Sequence, residues 1–261
     1  MKLKNKNLPH AIFLDIDGTI ISEKTAFPEV VKKVISDVRS MGHYVFINTG
    51  RGMAFMPDFV KNHNFFDGII SALGSYIKVG SECIFNRPID REKLDKVVEY
   101  CINHGDCCRF HGISHLLCHD LVKDMSPVWD MFYTKEQFYE KLGGDVIYKM
   151  TVDRGLSGEY KKFLSENFSV CSYTGTDYGE IASFGISKAT GVEKVINFLG
   201  IPQSRTIAFG DSCNDYDMLR YVEYPICMGN GAENIKEICK FVTDSVENFG
   251  VATALEKLFF E

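Results

Sequence analysis

Residues 11–19 of the chain read AIFLDIDGT, four apolar residues that run directly into two carboxylates, a glycine and a threonine. A short apolar run that ends in turn residues is typical of a strand buried on both faces of a sheet. On an extended backbone, residues two apart lie on the same side, so Asp15 and Asp17 can face the same point. The segment therefore predicts a buried strand with paired carboxylates at its end.

The residues that follow predict a helix and a second buried strand. Apolar residues recur at helical spacing from Val30 to Met41, with Pro28 near the start and Gly42 after the end. The apolar run Tyr44–Ile47 comes next. A strand, a helix and a strand in this order form a βαβ unit, which predicts a parallel sheet.

The last third of the chain repeats this alternation. A helix is predicted from about Lys188 to Leu199, where Gly200 ends it, and a strand from Thr206 to Phe209 runs into Asp211. Further elements of the same kind follow: short strands at Tyr224–Cys227 and Phe241–Thr243, a helical stretch at Ala232–Cys239 and a helix ending near Phe259.

The middle of the chain has a different pattern. From about Gly80 to Phe184, several predicted strands are consecutive, with helices near Arg91–His104 and Gly158–Asn167. Such a pattern is typical of an α+β insert. The prediction is a parallel α/β core, residues 1–79 and 187–261, that is split by an α+β cap domain, residues 80–186.

Composition and charge exclude some functional classes. Of 261 residues, 45% are hydrophobic and 25% are charged, as in a globular protein with a large core. The formal net charge of −6 argues against a general nucleic-acid binder, which needs a basic face. No obligate protein partner is evident from the sequence.

The sequence carries no signal for export or membrane insertion. The first ten residues, MKLKNKNLPH, are basic but contain no apolar run of signal-peptide length. No stretch approaches the roughly 18 to 20 apolar residues of a membrane span. The nine cysteines are an odd number without a regular framework. A cytoplasmic protein is therefore predicted.

The residues at the predicted strand ends suit the transfer of a phosphoryl group. Such a reaction needs a nucleophile, a proton donor for the leaving group and strong charge neutralisation, and parallel sheets gather these groups at their carboxyl edge. Asp15 can attack phosphorus, while Asp17 can protonate the leaving oxygen and later deprotonate water. Taken alone, two aspartates at a strand end more often belong to a turn or a helix cap.

Two further strand and helix ends offer phosphate contacts. The hydroxyl of Thr49 and the backbone N–H of Gly50 can bind phosphoryl oxygens. Lys188 begins a helix, where its charge opposes the helix dipole, so an anionic partner explains it better than helix stability does. A helix cap at Thr49 and a solvated Lys188 are the alternative interpretations.

The loop GDSCND, residues 210–215, supplies the remaining groups. Asp211 can complete a magnesium site with the two aspartates of the first strand, because Mg²⁺ prefers oxygen ligands in an octahedron. Asn214 can donate to the phosphate, and Asp215 can orient the metal's waters or Lys188 from outside the ligand set.

The sequence strongly resembles the haloacid dehalogenase-like hydrolase superfamily, and within it the Cof-like sugar-phosphatase branch. The segments that carry the resemblance are FLDIDGT (13–19), INTGR (47–51), GISKATGVEKVINFLGI (185–201), AFGDSCNDYDML (208–219) and CMGNGAENIK (227–236). The resemblance implies a Rossmann-like parallel-sheet core with a large inserted cap. It also implies an Mg²⁺-dependent phosphatase that works through an aspartyl-phosphate.

By this resemblance Asp15 matches the nucleophile and Asp17 the general acid and base. Thr49 and Lys188 match phosphate contacts, and Asp211 matches the distal metal ligand. In the family the second aspartate of the first segment usually reaches Mg²⁺ through its backbone carbonyl, and its presence favours hydrolysis of phosphate esters.

Two positions depart from the family's pattern. Ala189 stands where a glycine commonly follows the lysine, and Leu73 stands where the family usually has an asparagine. Because that asparagine often helps to hold the substrate, Leu73 weakens any transfer of sugar specificity to this chain.

The predicted function is hydrolysis of a small phosphorylated metabolite, with hexose phosphates favoured over flavin mononucleotide, pyridoxal phosphate and nucleotides by family analogy. A phosphomutase and a non-hydrolytic phosphometabolite-binding protein are the alternatives. The cap also contains cysteines and histidines that suggest a zinc module as a competing hypothesis. These residues are Cys101, His104, Cys107, Cys108, His111, His115, Cys118 and His119.

Overall fold

The computed structural model describes residues 3–24, 26–61, 65–105, 108–119, 129–154, 156, 158–173 and 175–261. The chain divides into two compact units. The core unit comprises residues 1–49, 57–85 and 187–261, and the cap unit comprises residues 50–56 and 86–186. None of the helices in these described ranges combines the length and the apolar character that a transmembrane segment requires.

The elements alternate along the chain much as the hydrophobic pattern predicts. The strands are β1 Ala11–Leu14, β2 Tyr44–Asn48, β3 Gly68–Ser71, β4 Tyr76–Val79, β5 Glu82–Asn86, β6 Cys108–His111, β7 Leu116–His119, β8 Asp130–Met131, β9 Lys149–Val152, β10 Phe168–Ser172, β11 Gly179–Ser183, β12 Thr206–Gly210, β13 Tyr224–Cys227 and β14 Phe241–Val242. The helices are α1 Glu29–Ser40, α2 Asp58–Lys61, α3 Arg91–His104, α4 Lys135–Leu142, α5 Gly158–Asn167, α6 Lys188–Leu199, α7 Tyr216–Tyr221, α8 Glu233–Lys236 and α9 Gly250–Phe259.

The core unit is built on a sheet with the strand order β14-β13-β12-β1-β2-β3-β4-β5. From β14 to β3 neighbouring strands are parallel, and β1 lies in the middle with each of its four residues fully buried. Burial on both faces explains why β1 is continuously apolar rather than alternating. The predicted parallel α/β fold is confirmed.

The hairpin of β4 and β5 belongs to this core sheet and not to the cap. β3 and β4 pair antiparallel, and β5 forms the edge of the sheet. The core unit accordingly extends to residue 85, beyond the predicted limit at 79. The predicted helix Ala232–Cys239 is also shorter in the structure, where α8 covers Glu233–Lys236.

The cap unit is an α+β layer with a six-stranded sheet in the order β10-β11-β9-β6-β7-β8. Alternate residues of its strands face an apolar cluster that includes side chains of α3, α4 and α5. Phe110, Met150 and Ile181 belong to that cluster. The intervening residues Lys149 and Glu180 carry charge and lie on the opposite face of the sheet.

The cysteines and histidines of the zinc hypothesis have separate contacts. Cys101 and Cys108 lie in the apolar cluster, and Cys107 is outside the described residues. His111 Nε2 lies 3.1 Å from Thr151 Oγ1, and His115 Nδ1 lies 3.2 Å from an Asp145 oxygen. In the described part of the chain, the one group found that can hold a metal ion is made of aspartates of the core unit.

Two buried histidines precede the central strands of the core sheet. The backbone N–H of His10 donates to His43 Nδ1 at 3.2 Å, and the His43 ring packs 4.4 Å from the Phe259 ring. Burial and the neighbouring His10 lower the pKa of His43 from 6.5 to about 4. The folded protein therefore holds a neutral imidazole at a pH where the unfolded chain is protonated.

We expect this histidine to make the fold sensitive to acid. Between pH 6.5 and 4 the unfolded chain binds a proton that the folded protein excludes, so the free energy of unfolding should fall by on the order of 2 kcal/mol. His43→Asn keeps an acceptor for the His10 N–H but cannot titrate. Urea unfolding of both proteins at pH 7.5 and 4.5 should show a smaller pH difference for the variant. Equal differences would contradict the prediction.

Candidate active site

The carboxyl ends of three adjacent strands bring the first site residues together. Leu14, the last residue of β1, pairs with Ile47 of β2 on one side and Phe209 of β12 on the other. The next residue, Asp15, donates its backbone N–H to the Phe209 carbonyl at 3.2 Å. Asp15 is therefore fixed at the carboxyl edge of the sheet, as the sequence predicts.

Lys188 connects two of the predicted aspartates. Its Nζ donates to Asp15 Oδ1 and to Asp215 Oδ1, both at 2.7 Å. The side chains of Lys188 and Asp215 are completely buried, so these charge-assisted bonds form away from water. The alternative of a solvated lysine at the start of α6 is wrong.

The loop after β12 is held by the second oxygen of Asp215. Asp215 Oδ2 accepts from the backbone N–H groups of Asp211 at 3.0 Å and Ser212 at 3.1 Å. Both Asp215 oxygens are thus occupied by donors of the protein. Asp215 therefore holds the backbone of the loop that carries Asp211 and also pairs with Lys188.

One carboxylate oxygen of Asp211 accepts no hydrogen bond from the described residues. This oxygen, Oδ1, is buried. Gly18 has a φ of +77°, and a Cβ at this position would overlap the Asp211 carboxylate. Only glycine therefore permits the turn after Asp17 to approach Asp211 so closely.

The donor set fits a divalent cation such as Mg²⁺. One carboxylate oxygen from each of Asp15, Asp211 and Asp215 lies within 4.8 Å of the others, and hard cations prefer such oxygen ligands. A buried carboxylate oxygen without a hydrogen-bond donor is a further feature that suits a cation. Asp17 is exposed, and its carboxylate is not a member of this group.

Burial, together with the neighbouring charges, shifts the pKa values of these groups. Burial raises the pKa of Asp15 to about 7, with Asp215 and Asp17 adding to the increase and Lys188 opposing it. Burial together with Asp215 and Asp15 raises the pKa of Asp211 to about 8. Burial alone would lower the pKa of Lys188, but the two aspartates beside it outweigh this and raise it. A bound cation would reverse the shifts of the carboxylates.

The predicted phosphate contacts lie at the end of β2. The backbone N–H of Thr49 donates to the Ile70 carbonyl at 2.9 Å, and the Thr49 carbonyl accepts from the Leu73 N–H at 3.1 Å. Gly50 is buried, and no described group accepts a hydrogen bond from its backbone N–H. A buried donor without a partner at a strand end is suited to an anion. The Oδ1 of Asn214 accepts from Ser212 Oγ at 3.3 Å.

Leu73 occupies a backbone conformation that disfavours its side chain. Its φ of 61° and ψ of 17° lie in the left-handed region, where asparagine and glycine are preferred. Leu73 is only 6% exposed, so burial of its apolar side chain offsets this conformational cost. At the position where the family usually has an asparagine, this chain therefore has a left-handed backbone but no side-chain amide.

Sequence reasoning missed two asparagines that support the site. Asn48 is buried and donates from Nδ2 to the Lys188 carbonyl at 3.0 Å. Asn230 donates from Nδ2 to the Gly18 carbonyl at 2.8 Å and accepts from the Val246 N–H at 2.8 Å. Both residues lie in segments that carry the family resemblance. Their place in those segments was the one signal in the sequence that could have identified them. Their partners lie far away in the sequence.

Comparisons with known proteins identify a matching family and several similar proteins. The haloacid dehalogenase-like hydrolase family matches residues 12–255. Two Bacillus subtilis proteins named as 5-amino-6-(5-phospho-D-ribitylamino)uracil phosphatases, YitU and YcsE, are each 25% identical, over 96% and 94% of this chain and 98% and 93% of their own lengths. The solved structure of a subclass IIB sugar phosphatase of the superfamily, BT4131, is 26% identical with a TM-score of 0.82, over 95% of this chain and 98% of its own.

Proposed function

The chain belongs to the haloacid dehalogenase-like hydrolase family, and from this premise we propose that it is an Mg²⁺-dependent phosphatase acting on a small phosphorylated metabolite. The observation that carries the proposal is the bridge from Lys188 to Asp15 and Asp215, beside a carboxylate oxygen of Asp211 that has no donor. This arrangement gives one carboxylate a cationic neighbour and leaves room for a second cation.

In this reaction the Asp15 carboxylate attacks the phosphorus atom. The new bond joins an Asp15 oxygen to phosphorus, and the bond from phosphorus to the substrate oxygen breaks. Asp17 donates its proton to that leaving oxygen. It then takes a proton from a water molecule, which attacks the aspartyl-phosphate, releases inorganic phosphate and restores Asp15.

The remaining residues bind and orient the phosphoryl group. Lys188 neutralises charge next to the nucleophile, while the Thr49 hydroxyl, the Gly50 N–H and the Asn214 amide are proposed phosphate contacts. Mg²⁺, held by the carboxylates of Asp15 and Asp211 and by the backbone carbonyl of Asp17, would supply further charge neutralisation.

The substrate proposed is a sugar or sugar-alcohol phosphate. One similar structure is described as a sugar phosphatase, and two similar sequences are named for a substrate with a phosphorylated ribityl chain. A phosphate ester on a polyol is common to both descriptions. We place the protein in the cytoplasm, where such metabolites are found.

A substrate panel tests the proposal. Hexose 6-phosphates, ribitol 5-phosphate, a ribitylaminouracil phosphate, flavin mononucleotide, pyridoxal phosphate and an aryl phosphate should be compared by kcat/KM, with release of inorganic phosphate as the readout. Polyol phosphates should rank first. Conversion of a hexose phosphate to its isomer without phosphate release would indicate a phosphomutase, and no turnover of any ester would indicate a binding protein.

Removal of the metal should abolish turnover. With EDTA we expect no phosphate release, and added Mg²⁺ should restore it. Asp211→Asn keeps an oxygen ligand but loses its charge, so the Mg²⁺ concentration for half-maximal activity should rise by roughly tenfold or more. Asp217→Asn, at an exposed carboxylate of α7, is the matched control and should leave this concentration unchanged. An unchanged Mg²⁺ requirement in Asp211→Asn would contradict the metal site.

A further inference from the structure

A cavity of about 520 Å³ lies where the chain enters and leaves the long part of the cap unit, Asn86–Ile186. Residues 87–91, 93, 146, 167–168 and 183–184 line this cap cavity. All of them belong to the cap unit, and none is a residue of the candidate active site. The volume is within the range of small-molecule sites, roughly 300 to 1,000 Å³.

Hydrogen bonds hold the walls of the cap cavity in place. The Ile89 N–H donates to the Ile147 carbonyl at 2.7 Å, which fixes the entering segment beside Val146. Ser183 Oγ donates to the Pro88 carbonyl at 3.2 Å and so connects the leaving segment to the entering one. Because the walls are fixed before a ligand binds, binding there costs less conformational entropy.

Cations outnumber carboxylates in the lining of the cap cavity. Arg87, Arg91 and Lys93 line it, against a single carboxylate, that of Asp90. Asp90 Oδ1 is already occupied, because it accepts from the backbone N–H groups of Glu92 at 3.0 Å and Lys93 at 3.2 Å. In a chain with a formal net charge of −6, this local excess of positive charge favours an anionic ligand.

Two of these cations have no carboxylate partner in the described part of the chain. Lys93 is half-buried, and its Nζ donates to the Asn167 carbonyl at 3.0 Å, which leaves two further N–H donors. Arg87 is exposed and forms no ion pair with a described residue. Arg91, in contrast, pairs with Asp95 at 3.3 Å. The Arg87 guanidinium and the Lys93 ammonium are therefore the groups available to an anion.

Apolar side chains form much of the remaining lining. Phe184 is 62% exposed and Val146 is 40% exposed, while Phe168 is buried with its ring 5.8 Å from Lys93 Nζ. A planar apolar ligand would cover the exposed ring of Phe184 and remove apolar surface from water. Apolar walls with a few convergent charges are the usual composition of a small-molecule site.

We propose that the cap cavity is a binding site for a small organic anion that carries a planar apolar group. In the complex, Arg87 and Lys93 contact the anionic group, and Phe184 packs against the planar group. Binding is reversible and involves no covalent step. The inference goes beyond the proposed phosphatase function and does not depend on it, because the site is built entirely from residues of the cap unit.

Naphthalene-2-sulfonate tests the proposal, because it combines a planar ring with an anion that is not a phosphate ester. Calorimetric titration of the full chain should show one site, and amide chemical shifts should change at residues 87–93 and 183–184. The neutral naphthalene-2-sulfonamide should bind roughly tenfold more weakly or worse, since it lacks the charge. Methanesulfonate, which lacks the ring, should give no measurable binding. Added salt should weaken the binding of the sulfonate.

Three variants assign the binding to the cap cavity. Arg87→Gln and Phe184→Ser each change an exposed side chain, so both proteins should fold. Each substitution should raise the Kd of the sulfonate by roughly tenfold, because one removes a charge that contacts the anion and the other removes the ring. Lys161→Gln is the matched control. It removes an exposed lysine of α5 that does not line the cavity, and it should leave the Kd unchanged.

Three results would overturn the proposal. The first is no measurable binding of the sulfonate. The second is equally tight binding of the sulfonamide, because the cavity would then be an apolar surface without a preference for anions. The third is an unchanged Kd in folded Arg87→Gln and Phe184→Ser, which would place the probe elsewhere on the protein. Should a variant not fold, the chemical shifts of residues 87–93 and 183–184 in the unaltered protein decide the matter.

Discussion

Replacing Asp15 with Asn is expected to lower kcat by a factor on the order of 10⁴ or more while the protein stays folded. Loss of a nucleophile typically has an effect of this size or larger. The amide oxygen of Asn can still accept from Lys188, and Lys188 keeps its bond to Asp215, so the buried cation is not left without a partner. Phosphate release from an aryl phosphate in saturating Mg²⁺ measures the effect.

A matched variant separates the chemical effect from a general effect on the protein. Asp37→Asn removes a carboxylate on α1 that pairs with Lys33 at the surface, and it should leave kcat unchanged. Melting temperatures of both variants should lie close to that of the unaltered protein. Near-normal turnover by folded Asp15→Asn would rule out this residue as the nucleophile.

Replacing Asp17 with Asn should lower steady-state turnover by roughly 10² to 10⁴-fold, the range of general acid–base catalysis. The effect should depend on the leaving group. A nitrophenolate needs no proton to leave, so an aryl phosphate should give a rapid burst of one phenolate per active site, followed by slow hydrolysis of the phosphoenzyme. A sugar phosphate needs the proton and should give no burst.

Rapid mixing with nitrophenyl phosphate measures the burst of phenolate. Acid quenching of the same reaction traps the phosphoenzyme. Glu23→Gln, at an exposed carboxylate a few residues further along the chain, should behave like the unaltered protein. Equal losses for aryl and sugar phosphates without a burst would assign Asp17 another role. Asp15→Asn should form no phosphoenzyme at all.

The fold was largely predictable because its central strands are buried on both faces. β1, β2 and β12 appear in the sequence as apolar runs that end in polar turns, and the elements between them are long enough to show helical periodicity. β5 was assigned to the wrong unit for a physical reason. Its side chains are exposed or half-buried, and an edge strand of this kind looks the same in either sheet.

The candidate site was predictable where its reactive side chains lie in short segments at the ends of strands or helices. Asp15, Asp211 and Lys188 stand at strand or helix ends, and the structure brings all three together. The cap cavity could not be foreseen, because its lining comes from segments that are far apart in the sequence. How those segments meet cannot be derived from local patterns.

The position of β1 in the core sheet has a consequence for biosynthesis. Its two neighbours are β2, which the ribosome makes soon afterwards, and β12, which emerges only after the whole stretch from 86 to 186 has been translated. The strands of that stretch pair with one another and can close their sheet first. Until β12 is made, the backbone N–H and C=O groups along one edge of β1 lack their final partners in the nascent chain.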